Sequence, residues 1–151
     1  MTIWKKPISL DLLNALSKGN SGEHVGIEFT EIGDNYVTAR IPVDHRTMQP
    51  WGVINGGINV VLAETVASYA AYHAIDPGFR CVGLDVNANH IAPANRGWVT
   101  ATARPIQLGN SIQVWAIDLK NDAGKLTCVA RLTLSVFKDK RTCTSNIAEQ
   151  H

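Results

Sequence analysis

From Ile58 to Ala74 apolar side chains fill the chain almost without a break: Val60, Val61, Leu62, Ala63, Val66, Ala67, Ala70 and Ala71 leave no continuous polar face. A helix of that pattern is wrapped in protein on every side. The glycine-paired turn Asn55-Gly56-Gly57 leads into it, and Pro77-Gly78 closes the helical region. Elsewhere the pattern changes to a period of two. Over 36–43, Val37, Ala39, Ile41 and Val43 point one way, and Tyr36, Thr38 and Arg40 the other. Over 125–137, Cys128, Ala130, Leu132, Leu134 and Val136 alternate with Arg131, Thr133 and Ser135. Segments 25–32, 81–92, 98–107 and 111–119 also read as strands, separated by turns such as Gly33-Asp34-Asn35, Asn95-Arg96-Gly97 and Leu108-Gly109-Asn110. Ser9 before DLLNAL predicts a capped short helix that turns Leu10, Leu12, Leu13 and Leu16 inward. The polar stretch SKGNSGEH reads as a loop, and the residues from Lys138 onward as a loose polar tail.

A short helix, two strands, one long apolar helix and four further strands provide too few helices for parallel crossovers. The expected fold is therefore α+β, an antiparallel sheet wrapped around one long central helix. It forms a single domain over residues 1–137, with a tail over 138–151. Such a sheet keeps an outer face and free edges, which favours pairing with a second copy.

The 151 residues are enough for one core without staples, and 45% hydrophobic with 18% charged residues is ordinary for a soluble globular chain. A formal net charge of +1 without a Lys/Arg cluster speaks against nucleic acid or an acidic membrane surface as partner. No uninterrupted apolar stretch is long enough for a membrane span, and MTIWKKPISL lacks the apolar core of a leader peptide, so a cytoplasmic location is expected. Three cysteines without CxxC spacing argue against a disulfide framework, and the five histidines form no HExxH or other ligand pair, so no metal is expected.

Within this apolar helix one residue is out of place. Glu64 interrupts the run, with Ser68 one turn further along the same face. A carboxylate among apolar contacts loses several kcal/mol of hydration unless something compensates. It is either held by a basic partner or kept for chemistry.

The segments QPWGVINGGINVVLAETVAS, GLDVNANHIAP and QLGNSIQVWAIDL together resemble the hotdog-fold acyl-CoA thioesterases of the PaaI-like group. Within it they are nearest the bacterial branch that holds the enterobactin proofreading and 1,4-dihydroxy-2-naphthoyl-CoA thioesterases. The resemblance covers nearly the whole chain except the tail. It implies thioester hydrolysis at sites shared between the subunits of a dimer, usually within a homotetramer. No separate cofactor is implied, because coenzyme A or a carrier-protein phosphopantetheine enters as part of the substrate. Carried over by position, Glu64 attacks the thioester carbonyl or activates water. The Gly56 amide polarises that carbonyl at the helix N-terminus, where free N–H groups and the positive dipole end also favour it. Gln49 assists through its side-chain amide, Ser68 orients Glu64 or the water, and His90 and Gly57 lie on the substrate side. Trp51, in the loop before the glycines, is a candidate aromatic wall for a flat acyl group.

Two features depart from the family pattern. Family members commonly carry His before the glycine pair, where this chain has Asn55. An asparagine amide still donates a hydrogen bond but does not exchange protons near neutral pH, and losing a transition-state donor costs about 3–4 kcal/mol in barrier. Relatives also often place basic residues where this chain has Ala92 and Asn110, near the nucleotide end of coenzyme A. Without them the nucleotide loses bidentate phosphate contacts, which favours a pantetheine arm on a carrier protein. Plainer readings stand beside these. Asn55 and Gly56 also suit a helix cap, Ser68 a back-bond to the preceding turn, Gln49 an ordinary turn, His73 a helix end favoured by the dipole, and His90 a satisfied strand residue. The alternative functions are an acyl-thioester-binding protein impaired by Asn55 and, last, an enoyl-thioester hydratase or dehydratase, for which the turn offers no histidine.

Overall fold

The computed structural model describes residues 1–143, leaving out the side chains of residues 142 and 143, and most of the expected tail lies outside that range. Six strands form one antiparallel sheet: β1 (Glu28–Ile32), β2 (Val37–Pro42), β3 (Phe79–His90), β4 (Trp98–Leu108), β5 (Ile112–Asn121) and β6 (Leu126–Lys138). Their order across the sheet is β1-β2-β4-β5-β6-β3. The hairpins β4–β5 and β5–β6 are neighbours in sequence, whereas β3 crosses over to pair with β6 and leaves its other edge free. The long helix α3 (Gly56–His73) contacts β2 through β6 and fills the concave side of the sheet.

The period-two segments bury the face that their alternation marks. Val37, Ala39 and Ile41 of β2, Trp115, Ile117 and Leu119 of β5, and Cys128, Leu132 and Leu134 of β6 are all fully buried. They close on Leu62, Ala63, Val66, Ala67 and Ala70 of α3. Burying each large apolar side chain contributes about 1.5–3 kcal/mol, so helix and sheet hold each other in place. The alanines of α3 allow its backbone to lie close against the pleat.

Two expectations about the N-terminal segment are corrected. In the short helix α1 (Leu10–Leu16), capped by the Ser9 side chain as anticipated, Leu13 alone is fully buried, while Leu12 and Leu16 are 39% and 45% exposed. At about 100° per residue Leu12 and Leu16 are turned to the same side of Leu13, so with Leu13 aimed at the core they face outward. The segment read as a loop contains a second helix, α2 (Ser21–Val25), which starts on the Asn20 side-chain cap and ends at Gly26 with φ of 83°. At the C-terminus β6 runs through Lys138 and a 3-10 turn follows over Lys140–Cys143. His73 is also corrected: it is buried, its Nδ1 pairs with the Tyr69 carbonyl at 2.7 Å, and burial pushes its pKa below the ordinary 6.5. It is a neutral core group, not a cation favoured by the helix dipole. Among the described residues no helix is long and apolar enough to cross a membrane.

Candidate active site

The N-terminus of α3 is built by the connection that precedes it. Thr47, buried to 1% exposure, accepts from the Asp44 amide and donates to the Pro42 carbonyl at 2.6 Å. Hydrogen bonds from Arg46 hold the Asp44 carboxyl below the usual carboxylate range. The amides of Ile54 and Asn55 donate to Ala94 and Thr47, each at 2.8 Å. This loop therefore presents the glycine turn in one fixed geometry.

Asn55 is the helix N-cap, its Oδ1 accepting from the Gly57 amide at 2.8 Å. The cap reading is correct for that oxygen, yet the Asn55 Nδ2 donor makes no hydrogen bond among the described residues. The Gly56 N–H, at the first helical position, has no intrahelical acceptor. Beside it opens a cleft of about 350 Å³ lined by Gln49, Gly56, Asn59, His90, Ala92 and neighbouring apolar groups. The Gln49 Oε1 accepts from the Trp51 amide, which leaves the Gln49 amide nitrogen as its free end. The His90 ring lies over Gly56 so closely that a Cβ there would sit 2.8 Å from Nε2. Other hollows are larger, including one of about 530 Å³ beside Leu12, Leu16 and Tyr72, but this cleft adjoins the free amides at the start of α3.

Asn59 had no place in the sequence-derived site. It lies one turn beyond Gly56 and is 3% exposed, with Nδ2 3.3 Å from His90 Nδ1 and with Oδ1 buried and unpaired. Its signal in the sequence is the one it shares with Glu64, a polar residue interrupting an apolar helix.

Glu64 is half-buried, two turns further along α3 and about 12 Å along the axis from Gly56. Its carboxylate packs on β3, with Oε1 2.6 Å from the position a Cβ on Gly83 would take. It has no hydrogen bond or ion pair within the chain among the described residues. Ser68 shares its face and is half-buried, but no hydrogen bond joins the two. Trp51 is 85% exposed and stands apart from the cleft lining. Ala92 and Asn110 fall at opposite ends of the sheet. The Ala92 amide reaches the Thr127 carbonyl, while Ser111, next to Asn110, pairs with Val136, about 30 Å away along β6. Among the described residues no group of His, Cys, Asp and Glu is placed to hold a metal ion.

One chain thus carries two separated sets of groups: donors around a helix N-terminus, and an unpaired carboxylate beside a free sheet edge. A hydrolase of thioesters needs both, one to polarise the carbonyl and the other to deliver the nucleophile. Residues 52–128 match the Thioesterase superfamily, and the chain belongs to that family. The enzyme class that its fold and relatives define is the thioester hydrolases. A solved thioesterase from Haemophilus influenzae superposes with a TM-score of 0.89 at 50% identity, covering 91% of this chain and 96% of that one. The 1,4-dihydroxy-2-naphthoyl-CoA hydrolase of Escherichia coli is 42% identical, over 89% of this chain and 99% of its own length. The proofreading thioesterase EntH of Cronobacter turicensis is 40% identical, over 89% and 98%.

Proposed function

We propose that the protein hydrolyses an acyl thioester, with an aryl or similarly flat acyl group, in a site assembled from two copies of the chain. The Glu64 carboxylate of one copy attacks the thioester carbonyl or activates water. The carbonyl oxygen is held by the Gly56 N–H of the other copy, assisted by the Gln49 amide and Asn55 Nδ2. The observation that carries this reading is the separation of Glu64 from Gly56 along a single helix, about 12 Å, too far to act on one carbon atom.

The free edge of β3 supports the pairing. A two-fold axis near Asn87 sets β3 antiparallel to its own copy. The bulge that β3 carries against β6 between Gly83 and Asp85 takes up one residue, and in the proposed register Gly83 then falls opposite His90 of the other copy. Glu64 touches Gly83, and Gly56 touches His90, so this register brings carboxylate and helix terminus together. Leu84 and Ile91, 59% and 53% exposed, lie on or beside that edge strand and gain cover from the pairing.

The absence of arginine or lysine at Ala92 and Asn110 favours a carrier-protein phosphopantetheine over free coenzyme A as the leaving arm, and Cys81 and Cys128, both free thiols, suit a cytoplasmic setting. The test is release of free thiol from a panel of acyl thioesters, each acyl group offered on both carriers. The reading expects turnover that Glu64→Ala abolishes. Binding without thiol release by the unaltered chain contradicts it in favour of a thioester-binding protein.

A further inference from the structure

We infer that Asn59 is a positioning residue which holds His90 as the Nε2–H tautomer, so that the imidazole offers a second donor to the carbonyl polarised by the Gly56 N–H. This rests on the hydrolase reading above for the identity of the carbonyl, but not for the geometry.

The geometry has three parts. Asn59 Nδ2 stands 3.3 Å from His90 Nδ1, and an amide N–H facing a ring nitrogen requires that nitrogen to be the acceptor. In a neutral imidazole the proton then resides on Nε2. Nε2 is also the atom that crowds Gly56, 2.8 Å from where a Cβ would stand, and His90 itself lines the open cleft. The N–H is thus delivered to the helix terminus where the backbone donor waits. Glycine at 56 is required by that approach and not by backbone conformation, since Gly56 is not among the residues with positive φ.

The third part is a cost. Asn59 is 3% exposed and leaves Oδ1 buried without a partner. An apolar side chain would fill that position without stranding an oxygen, so stability does not account for an asparagine there. Its one bonded end is the one that reaches the histidine. With Asn at position 55, the imidazole beside the helix terminus is that of His90 at the end of β3, and Asn59 sets the proton on the nitrogen that faces the cleft.

The experiment is nitrogen NMR of the labelled full-length protein at a pH where the imidazole is neutral, with the His90 signals assigned by their loss in His90→Gln. The unaltered protein should show protonated Nε2 and bare Nδ1. Asn59→Asp replaces the donor with an acceptor and should reverse the two signals. It should lower kcat roughly 10- to 100-fold with KM nearly unchanged, because the interaction lost is one made to the developing oxyanion. Asn59→Ser should leave a mixture of tautomers and an intermediate kcat. A protonated Nδ1 in the unaltered protein overturns the inference, whether or not the variants fold. So do identical His90 signals in the unaltered, Asp and Ser forms. Failure of the hydrolase reading is separately visible: turnover that survives Glu64→Ala contradicts that reading and leaves the tautomer measurement standing.

Discussion

The Glu64 carboxylate occupies the space that any side chain at Gly83 would need, its Oε1 2.6 Å from the missing Cβ. Gly83 lies in β3 beside the bulge at Leu84 and is not at positive φ, so alanine fits there conformationally. The obstacle is the far end of a flexible side chain, which swings away at little cost. Gly83→Ala should therefore keep folding stability within about 1 kcal/mol, below the usual penalty for overpacking a rigid core. It should lower kcat on the order of 100-fold, because the carboxylate is displaced from its attack position. Thermal melting and steady-state kinetics on the same sample check both halves.

Asn55 uses the two ends of its amide differently, and substitutions should separate them. Asn55→Ala removes the Oδ1 cap on the Gly57 amide and should cost about 0.5–2 kcal/mol in a denaturant titration. Asn55→Asp retains a capping oxygen and should melt like the unaltered protein. It loses the Nδ2 donor and puts a negative charge beside the carbonyl, so its kcat should fall further than that of Asn55→Ala.

The burial that lowers the His73 pKa couples stability to pH. The unfolded chain takes up a proton near 6.5 that the folded chain takes up only at lower pH, because burial, the largest effect, opposes the charge; Lys6 adds to this and the Tyr69 carbonyl works against it. The contribution is complete above pH 6.5 and is lost as pH falls from there toward the folded value. The slope is at most about 1.4 kcal/mol per pH unit. Denaturation midpoints across the mildly acidic range should show this slope, and His73→Gln should flatten it.

The legible parts of the fold were those where one residue type repeats at one period. Cys128, Leu132 and Leu134 on β6, or Val37, Ala39 and Ile41 on β2, announce strand and buried face together, because a pleated sheet offers only two sides. The all-apolar run of α3 announces a surrounded helix in the same way. What escaped was local and short. Helix α2 lacks an apolar stripe and is defined by its ends: the Asn20 cap, the Glu23 carboxylate accepting the Gly19 amide at 2.6 Å, and the left-handed Gly26. Those capping residues are present in the sequence, but their polar composition also fits a loop. At the site, Glu64 stood out as a charge among apolar neighbours, while Asn59, uncharged, did not. Its role comes from β3, whose His90 reaches it only after the sheet has closed over the helix terminus. The distance between Glu64 and Gly56, on which the proposed sharing of the site between two copies rests, follows from helical rise alone.

Mixing two damaged chains puts this sharing of the site to the test. Glu64→Ala removes the carboxylate, and a Gln49→Ala, His90→Ala double variant removes two of the side-chain donors that stand beside the Gly56 amide. Each alone should be nearly inactive. Unfolded together in equal amounts and refolded, they form mixed dimers in which one site carries both lesions and the other is intact. Thiol release should then recover to about a quarter of the unaltered rate, the share of sites left whole by random pairing. Mixtures as inactive as the separate variants would show that carboxylate and donors act within a single chain, and would contradict the shared site.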